Sequence, residues 1–323
     1  MDFLFIPVPS FYCALLGRWL HAATGIPYGI DYIDPWVHHF PGSDKIFSRH
    51  WLSTKIAALL EPVAVKKVSM ITGVAAGYYK GVIERNPKLT PHVLFDAMPY
   101  GGEKTDHEKI KMLTLSPALF TKKSNKIQLL YAGAFLPRAY LVLDQMFGAI
   151  QRDQQLFTDV EFHFIGTGKK TDDPLSFSIK PLAAQYGLWQ TIVFEYPQRI
   201  PYLDVLVHLN NVDAVFILGS TEPHYTPSKI YQAILSEKPV LAILHQQSSG
   251  TQVIENANAG LVLAFNGIED IETVGKKFTQ VWKKFEAYIK SFHPIEINME
   301  VFEKYSASAV TKQLAAMLNK IVP

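Results

Sequence analysis

Residues 213–244, DAVFILGSTEPHYTPSKIYQAILSEKPVLAIL, decide the fold. They open on a short apolar run, 214–218, closed by Gly219 and Ser220, and end on another, 239–244; each has the length and β-branched content of a buried strand. Both read as strands of a parallel sheet. Between them Thr226 is placed to cap a helix that carries Pro227 in its first turn, where a missing N–H costs nothing, with Ile230, Ala233 and Ile234 at helical spacing. Ser228, Lys229 and Gln232 share the opposite face, so a helix start, a cation and an amide point toward whatever lies above the strand ends. An anionic ligand with hydroxyl groups suits that place. An ordinary αβ unit with Lys229 and Gln232 solvated has the same spacing.

The same residues carry a family likeness. Pro227-Ser228-Lys229, two residues, Gln232, and then Lys238-Pro239-Val240 at the next strand resemble the donor-site segment of the GT-B glycosyltransferases, especially the family-four bacterial enzymes of polysaccharide and glycolipid assembly. Those enzymes have an acidic residue where Gln232 stands. Counted back from Lys238-Pro239, two glutamates of the family fall on His224 and Gln232. The resemblance implies that Gln232 binds ribose hydroxyls, as an amide and more weakly than a carboxylate would. It implies further that His224, or Glu222 two residues earlier, fills the other place, with Ser228 and Lys229 completing the donor contacts.

The whole chain is compatible with such a protein. Its 323 residues suggest two domains at ~100–200 residues each. A formal charge of +2 gives no basic stripe for nucleic acid. The single Cys13 rules out an internal disulfide and any multi-cysteine metal site. No stretch reaches the ~18–20 uninterrupted apolar residues of a membrane span, and the opening MDFLFIPVPS has no basic segment of the signal-peptide type. The expectation is a cytoplasmic chain, with the inner face of the membrane as the alternative location.

In chain order, 2–6 is an apolar run ended by Pro7 and Pro9, and Ser10 is placed to cap a helix through Thr24, stopped by Gly25 and Pro27. The strand-like run 28–33 leads to Asp34-Pro35-Trp36, which resembles the family's strand end facing the cleft. By that resemblance Asp34 is the catalytic candidate near the reacting sugar, and Met1 falls where the first strands of the N-terminal domain have already passed, so that domain reads as incomplete. A turn-forming Asp before proline is the alternative. His38 and His39 form a weak metal signal without a nearby acidic or Cys partner. Residues 46–67 read as a long helix that Pro62 kinks or splits, and its basic side is either solvated or in peripheral contact with anionic lipid. Strands at 70–74 and 92–95 flank a short helix, 76–85.

The expected organisation is α/β, two Rossmann-like domains in GT-B architecture: a partial acceptor-side domain over 1–105, a linker over 106–126, a donor-binding domain over 127–295, and a last helical segment, 296–323, that by the resemblance packs back on the first domain. The donor domain begins with strand 127–132 and the loop Gly133 to Arg138, where the family places the donor diphosphate; glycine permits close approach and a cation completes the charge match. Arg138-Ala139 stands where the family has Lys-Gly. Strand 160–165 runs into Gly166-Thr167-Gly168, a turn that on its own is a plain strand-to-helix connection and gains meaning from the family's Gly-x-Gly at this place. The turn at 195–200 corresponds to the family's base-holding loop, and Ser248 to Thr251 start a later helix.

The resemblance implies a glycosyltransferase that moves a sugar from a nucleotide-sugar donor to a glycan or lipid-linked acceptor with retention, and without cofactor or metal. Cations stabilise the leaving diphosphate and Asp34 assists the oxocarbenium-like sugar. Two other readings stay open. One is a non-catalytic or fragmentary relative that binds a nucleotide or a partner chain, and the other is a sugar-nucleotide epimerase of the same fold.

Overall fold

A computed structural model describes residues 2–8, 11–38, 43–89, 91–113 and 115–322. The expected cap Ser10 and the ligand candidate His39 lie outside the described residues. The chain divides into two compact units, one of residues 1–100 with 308–323 and one of residues 101–307. Residues 106–126, expected as a linker, therefore lie inside the second unit.

The first unit alternates strand and helix: β1 (Leu4–Val8), α1 (Cys13–Thr24), β2 (Tyr28–Tyr32), α2 (Arg49–Val65), β3 (Met70–Gly73), α3 (Ala76–Arg85) and β4 (Leu94–Ala97). The four strands are parallel in the order β1-β2-β3-β4. Gly25, with φ of 75°, ends α1 in the left-handed region as a glycine C-cap does. Ser48 caps α2 by accepting a hydrogen bond from the Trp51 amide, and the helix runs through Pro62 without a break. Inside this unit Glu61 is fully buried and accepts from Arg85 Nε and Nη2, both at 2.8 Å, so its charge is neutralised where water cannot reach it.

The second unit begins with α4 (Lys104–Met112). It continues through β5 (Ile127–Ala132), α5 (Tyr140–Arg152), β6 (Val160–Ile165), α6 (Lys180–Gln185), β7 (Val193–Tyr196), α7 (Tyr202–Asn211), β8 (Ala214–Leu218), α8 (Lys229–Leu235), β9 (Val240–His245), α9 (Ser249–Asn256), β10 (Gly260–Phe265), α10 (Glu272–Ser291) and α11 (Met299–Phe302). Its six strands are all parallel, ordered β10-β9-β8-β5-β6-β7. Alternate residues of each strand serve opposite layers: Leu129, Phe162, Phe216 and Leu241 pack with α5 and α10, whereas Leu130, Val215, Ile217 and Ala242 pack with α7, α8 and α9. Burial on both faces explains why β8, and β9 up to Leu244, are continuous apolar runs in the sequence. The last helix, α12 (Ala307–Ile321), groups with the first unit from Ser308 on, and Gln313 donates to the Ala97 carbonyl there.

One local expectation changes. Thr226 does not cap α8; that helix starts at Lys229 with Ser228 in the N-cap position. The Thr226 hydroxyl instead shares a 2.7 Å hydrogen bond with Ser249, which ties the loop after β8 to the start of α9.

Candidate functional site

Numbered within the second unit, the strand order is 3-2-1-4-5-6, with β5 as strand 1 and β8 as strand 4. In such a sheet the chain leaves in opposite directions on the two sides of strands 1 and 4. A crevice therefore opens at their carboxyl ends, and open α/β sheets bind ligands there. The loops that leave these two strands are the ones quoted from the sequence, 133–138 and 219–228.

The structure brings several of the expected residues together at this point. Gly133, with φ of 129°, receives the Lys229 side chain from α8: a Cβ on the glycine would lie 3.2 Å from Lys229 Cε and 3.3 Å from Nζ. Glycine is needed both for the backbone angle and for that approach. Lys229 Nζ donates to the Tyr131 hydroxyl at 2.6 Å and lies 3.9 Å from the centre of that ring. Burial pushes the Lys229 ammonium down to about 7, while the hydroxyl and the ring face favour the charged form. Arg138 and Glu222, from the two different loops, form an ion pair at 3.4 Å, and Ser220 holds the Glu222 carboxylate at 3.2 Å.

The remaining candidates lie around this group, His224 with a ring nitrogen within 4.8 Å of a Glu222 carboxylate oxygen. Gln232 Oε1 lies 2.7 Å from His107 Nε2 on α4; burial lowers the histidine pKa, so the neutral ring is the donor to the amide oxygen. Ser228 is exposed at the start of α8, and His224 is half-buried within the loop 219–228. Gly166, with φ of 73°, and Gly168 shape the turn after β6. A Cβ at Gly168 would meet the carbonyl oxygens of Pro197 and Ser176 at 2.7 and 2.9 Å, so only glycine fits between those two segments.

Glu195 fixes that turn. Its buried carboxylate accepts the Thr167 hydroxyl at 2.7 Å and the amides of Ser178, Ile179 and Lys180 at 2.8 to 2.9 Å. The free amides at the start of α6 are thereby satisfied from within the chain. Sequence reasoning gave Glu195 no role beyond opening the loop 195–200, and it missed Tyr131 and His107 altogether. Tyr131 lies inside an apolar strand, where a hydroxyl one residue before the strand end is the only signal.

In the first unit, Asp34 is exposed two residues beyond β2, and the buried Trp36 anchors its loop by stacking on Phe11 at 5.9 Å. Asp31 was not among the expected residues. It lies within β2 and accepts the Thr72 hydroxyl at 2.6 Å, and burial raises its pKa despite that bond. Burial, followed by the charges of Asp31 and Asp34, raises the pKa of the Tyr100 phenol. Two carboxylates and a phenol therefore share one end of this sheet.

No family model matches the chain, and no curated protein matches it by sequence. Solved structures do. A UDP-forming α,α-trehalose-phosphate synthase of Burkholderia xenovorans is similar over 100% of this chain and 74% of its own, with a TM-score of 0.73 and 10% identity. The chain has the GT-B fold. A glycosyltransferase of Rickettsia africae is similar over 99% of this chain and 77% of its own, with a TM-score of 0.64 and 14% identity. The HepE protein of Anabaena, solved in complex with UDP, is similar over 98% of this chain and 79% of its own, at 0.63 and 14%. The GT-B fold accounts for two separate parallel sheets in one chain. Among the described residues no helix is long and apolar enough to cross a membrane.

Proposed function

We propose that this chain is a glycosyltransferase that takes a nucleotide-sugar donor in its second unit and transfers the sugar, with retention, to a glycan or lipid-linked acceptor. The observation that carries the reading is the meeting of Gly133, Arg138, Glu222 and Lys229 at the carboxyl ends of β5 and β8. Fixed cations at that place stabilise the charge that develops on a leaving diphosphate, and they need no reorganisation as it forms. Gly133 admits the phosphate close to the backbone. Gln232, Ser228 and His224 are proposed for the nucleoside side, with Gly166 and Gly168 shaping the base-side loop. In the first unit Asp34 is the carboxylate proposed to act on the reacting sugar. No cofactor or metal is invoked, because Lys229 and Arg138 carry the countercharge.

A specific observation favours a second reading. Arg138 is paired with Glu222, Lys229 with Tyr131 and Gln232 with His107, as in a GT-B relative that binds a nucleotide or a partner chain without catalysis. Calorimetric titration with UDP, GDP and their sugars, followed by assays of donor hydrolysis and transfer, separates the two. Transfer that is lost in Asp34→Ala supports the enzyme; nucleotide binding with no turnover supports a nucleotide binder; no nucleotide binding removes the enzyme and leaves only the binder of a partner chain.

A further inference from the structure

The first unit carries an apolar surface that the donor site does not use. Tyr12, the N-cap residue of α1, and Leu16, Trp19 and Ala23 within it recur at helical spacing and all are exposed, Trp19 by 66%. In α2 the residues Leu52, Leu59 and Val63 do the same, Leu59 by 73%. The strands β1, β2 and β3 are neighbours in sequence order and parallel. Right-handed crossovers therefore place α1 and α2 on the same face of the sheet, where they pack against each other. Their inner sides fill the core through Ala14, Ala57, Ala64 and Val65. Both helices are thus apolar inward and outward, which is unlike a surface helix with a polar outer face. Several large apolar side chains exposed on two neighbouring helices are unusual on a soluble protein and point to a contact site.

The charge around this surface selects its partner. Arg49 and Lys55 on α2, each about 60° by helical spacing from the Leu52-Leu59-Val63 stripe, and Lys66 and Lys67 directly after the helix supply exposed cations beside it. The one acid of the two helices, Glu61, is buried and held by Arg85. We propose that the outer face of α1 and α2 lies on an anionic lipid bilayer, with Trp19, Leu16, Leu52, Leu59 and Val63 in the interfacial layer and the basic residues against the head groups. Tryptophan is the side chain best suited to that boundary, and aliphatic burial with lipid charge attraction is how interfacial helices bind. The inference goes beyond the donor reading and stands without it.

Vesicle co-sedimentation of the full chain tests it, with vesicles of phosphatidylcholine alone and mixed with phosphatidylglycerol. Binding is expected to the mixed vesicles and to weaken with salt. Trp19→Ser with Leu59→Ser should abolish it, and both positions are exposed enough to leave the core intact. Lys55→Ala with Lys66→Ala and Lys67→Ala should weaken it roughly a hundredfold, from the usual contribution of each basic residue at a charged surface. Leu175→Ser, at an equally exposed apolar residue of the second unit, should change nothing. UDP titration of the double variant reads the donor site separately. Absent binding, equal binding to both vesicles, or a dimer that Trp19→Ser dissociates would overturn the proposal, the last by giving the face to a second copy of the chain.

Discussion

Lys229 couples the candidate donor site to pH, and the coupling has a calculable size. Burial pushes its pKa down to about 7, so near neutrality the side chain is about half protonated, and a diphosphate binds the protonated form. The charged fraction is roughly nine-tenths at ~pH 6 and roughly one-tenth at ~pH 8; when bound UDP holds the proton, Kd rises about tenfold between them. Lys229→Met should remove this dependence. It should also weaken binding at the acid end by about 1.5–3 kcal/mol, roughly ten- to a hundredfold, the contribution of one hydrogen bond to a charged group. Stability moves the other way. From a folded value of about 7 up to the unfolded ~10.4 the unfolded chain holds more protons, so unfolding free energy rises with pH through that window in the native chain and not in Lys229→Met. Calorimetric titration with UDP across pH, in two buffers of different ionisation enthalpy, measures both affinity and proton uptake. A native Kd that is flat across this range, or the same slope in Lys229→Met, would refute the assignment of Lys229 to the diphosphate.

Three further outcomes follow from contacts in the structure. Glu222→Gln releases Arg138 from its 3.4 Å pair and should tighten UDP binding up to about fivefold, the usual range for a partly exposed ion pair, as read by the same titration. Gly168→Ala places a methyl 2.7 Å from the Pro197 carbonyl oxygen and should cost about 1–3 kcal/mol of overpacking, seen as a lower urea midpoint at unchanged m-value. Glu61→Gln leaves Arg85 without its buried countercharge and should cost about 3 kcal/mol in the same assay, at the low end for such pairs because Arg85 reaches water.

The strand positions of the second unit could be read from sequence because that parallel sheet is buried on both faces, so 214–218 and 240–244 stand out as apolar runs and 127–132 and 160–165 as largely apolar ones. Gly133 and the 166–168 turn could be located for the same reason, since each directly follows such a run. The helix over 104–112 could not. Its buried side consists of His107 and Ile110 within a charged segment, too few positions for a period to show, and a linker was the natural expectation. With α4 hidden, so was the His107 contact to Gln232. Glu195 poses the same difficulty in another form: its carboxylate reaches amides at 178–180 across a loop, and no local spacing states which amides those are.

Spacing told which residues share a face, but it did not tell what they already bind. Arg138 and Glu222 join only because strands 1 and 4 of the sheet are neighbours, and Lys229 meets Tyr131 only because α8 follows the second of them. The strengths of these contacts differ. The Arg138 pair is long, at 3.4 Å, and half-buried, where an ion pair is worth at most about 1 kcal/mol. Tyr131 offers Lys229 a neutral hydroxyl and a ring face, whereas a diphosphate offers full negative charge and shorter, stronger hydrogen bonds. The Gln232 amide can keep His107 on its oxygen and Tyr202 on one N–H and still present the other. On the proposed reading, pairing within the chain sets an energetic threshold that a diphosphate is expected to clear and a neutral sugar is not. That makes phosphate-dependent affinity, measured as UDP against uridine, the discriminating quantity for this site.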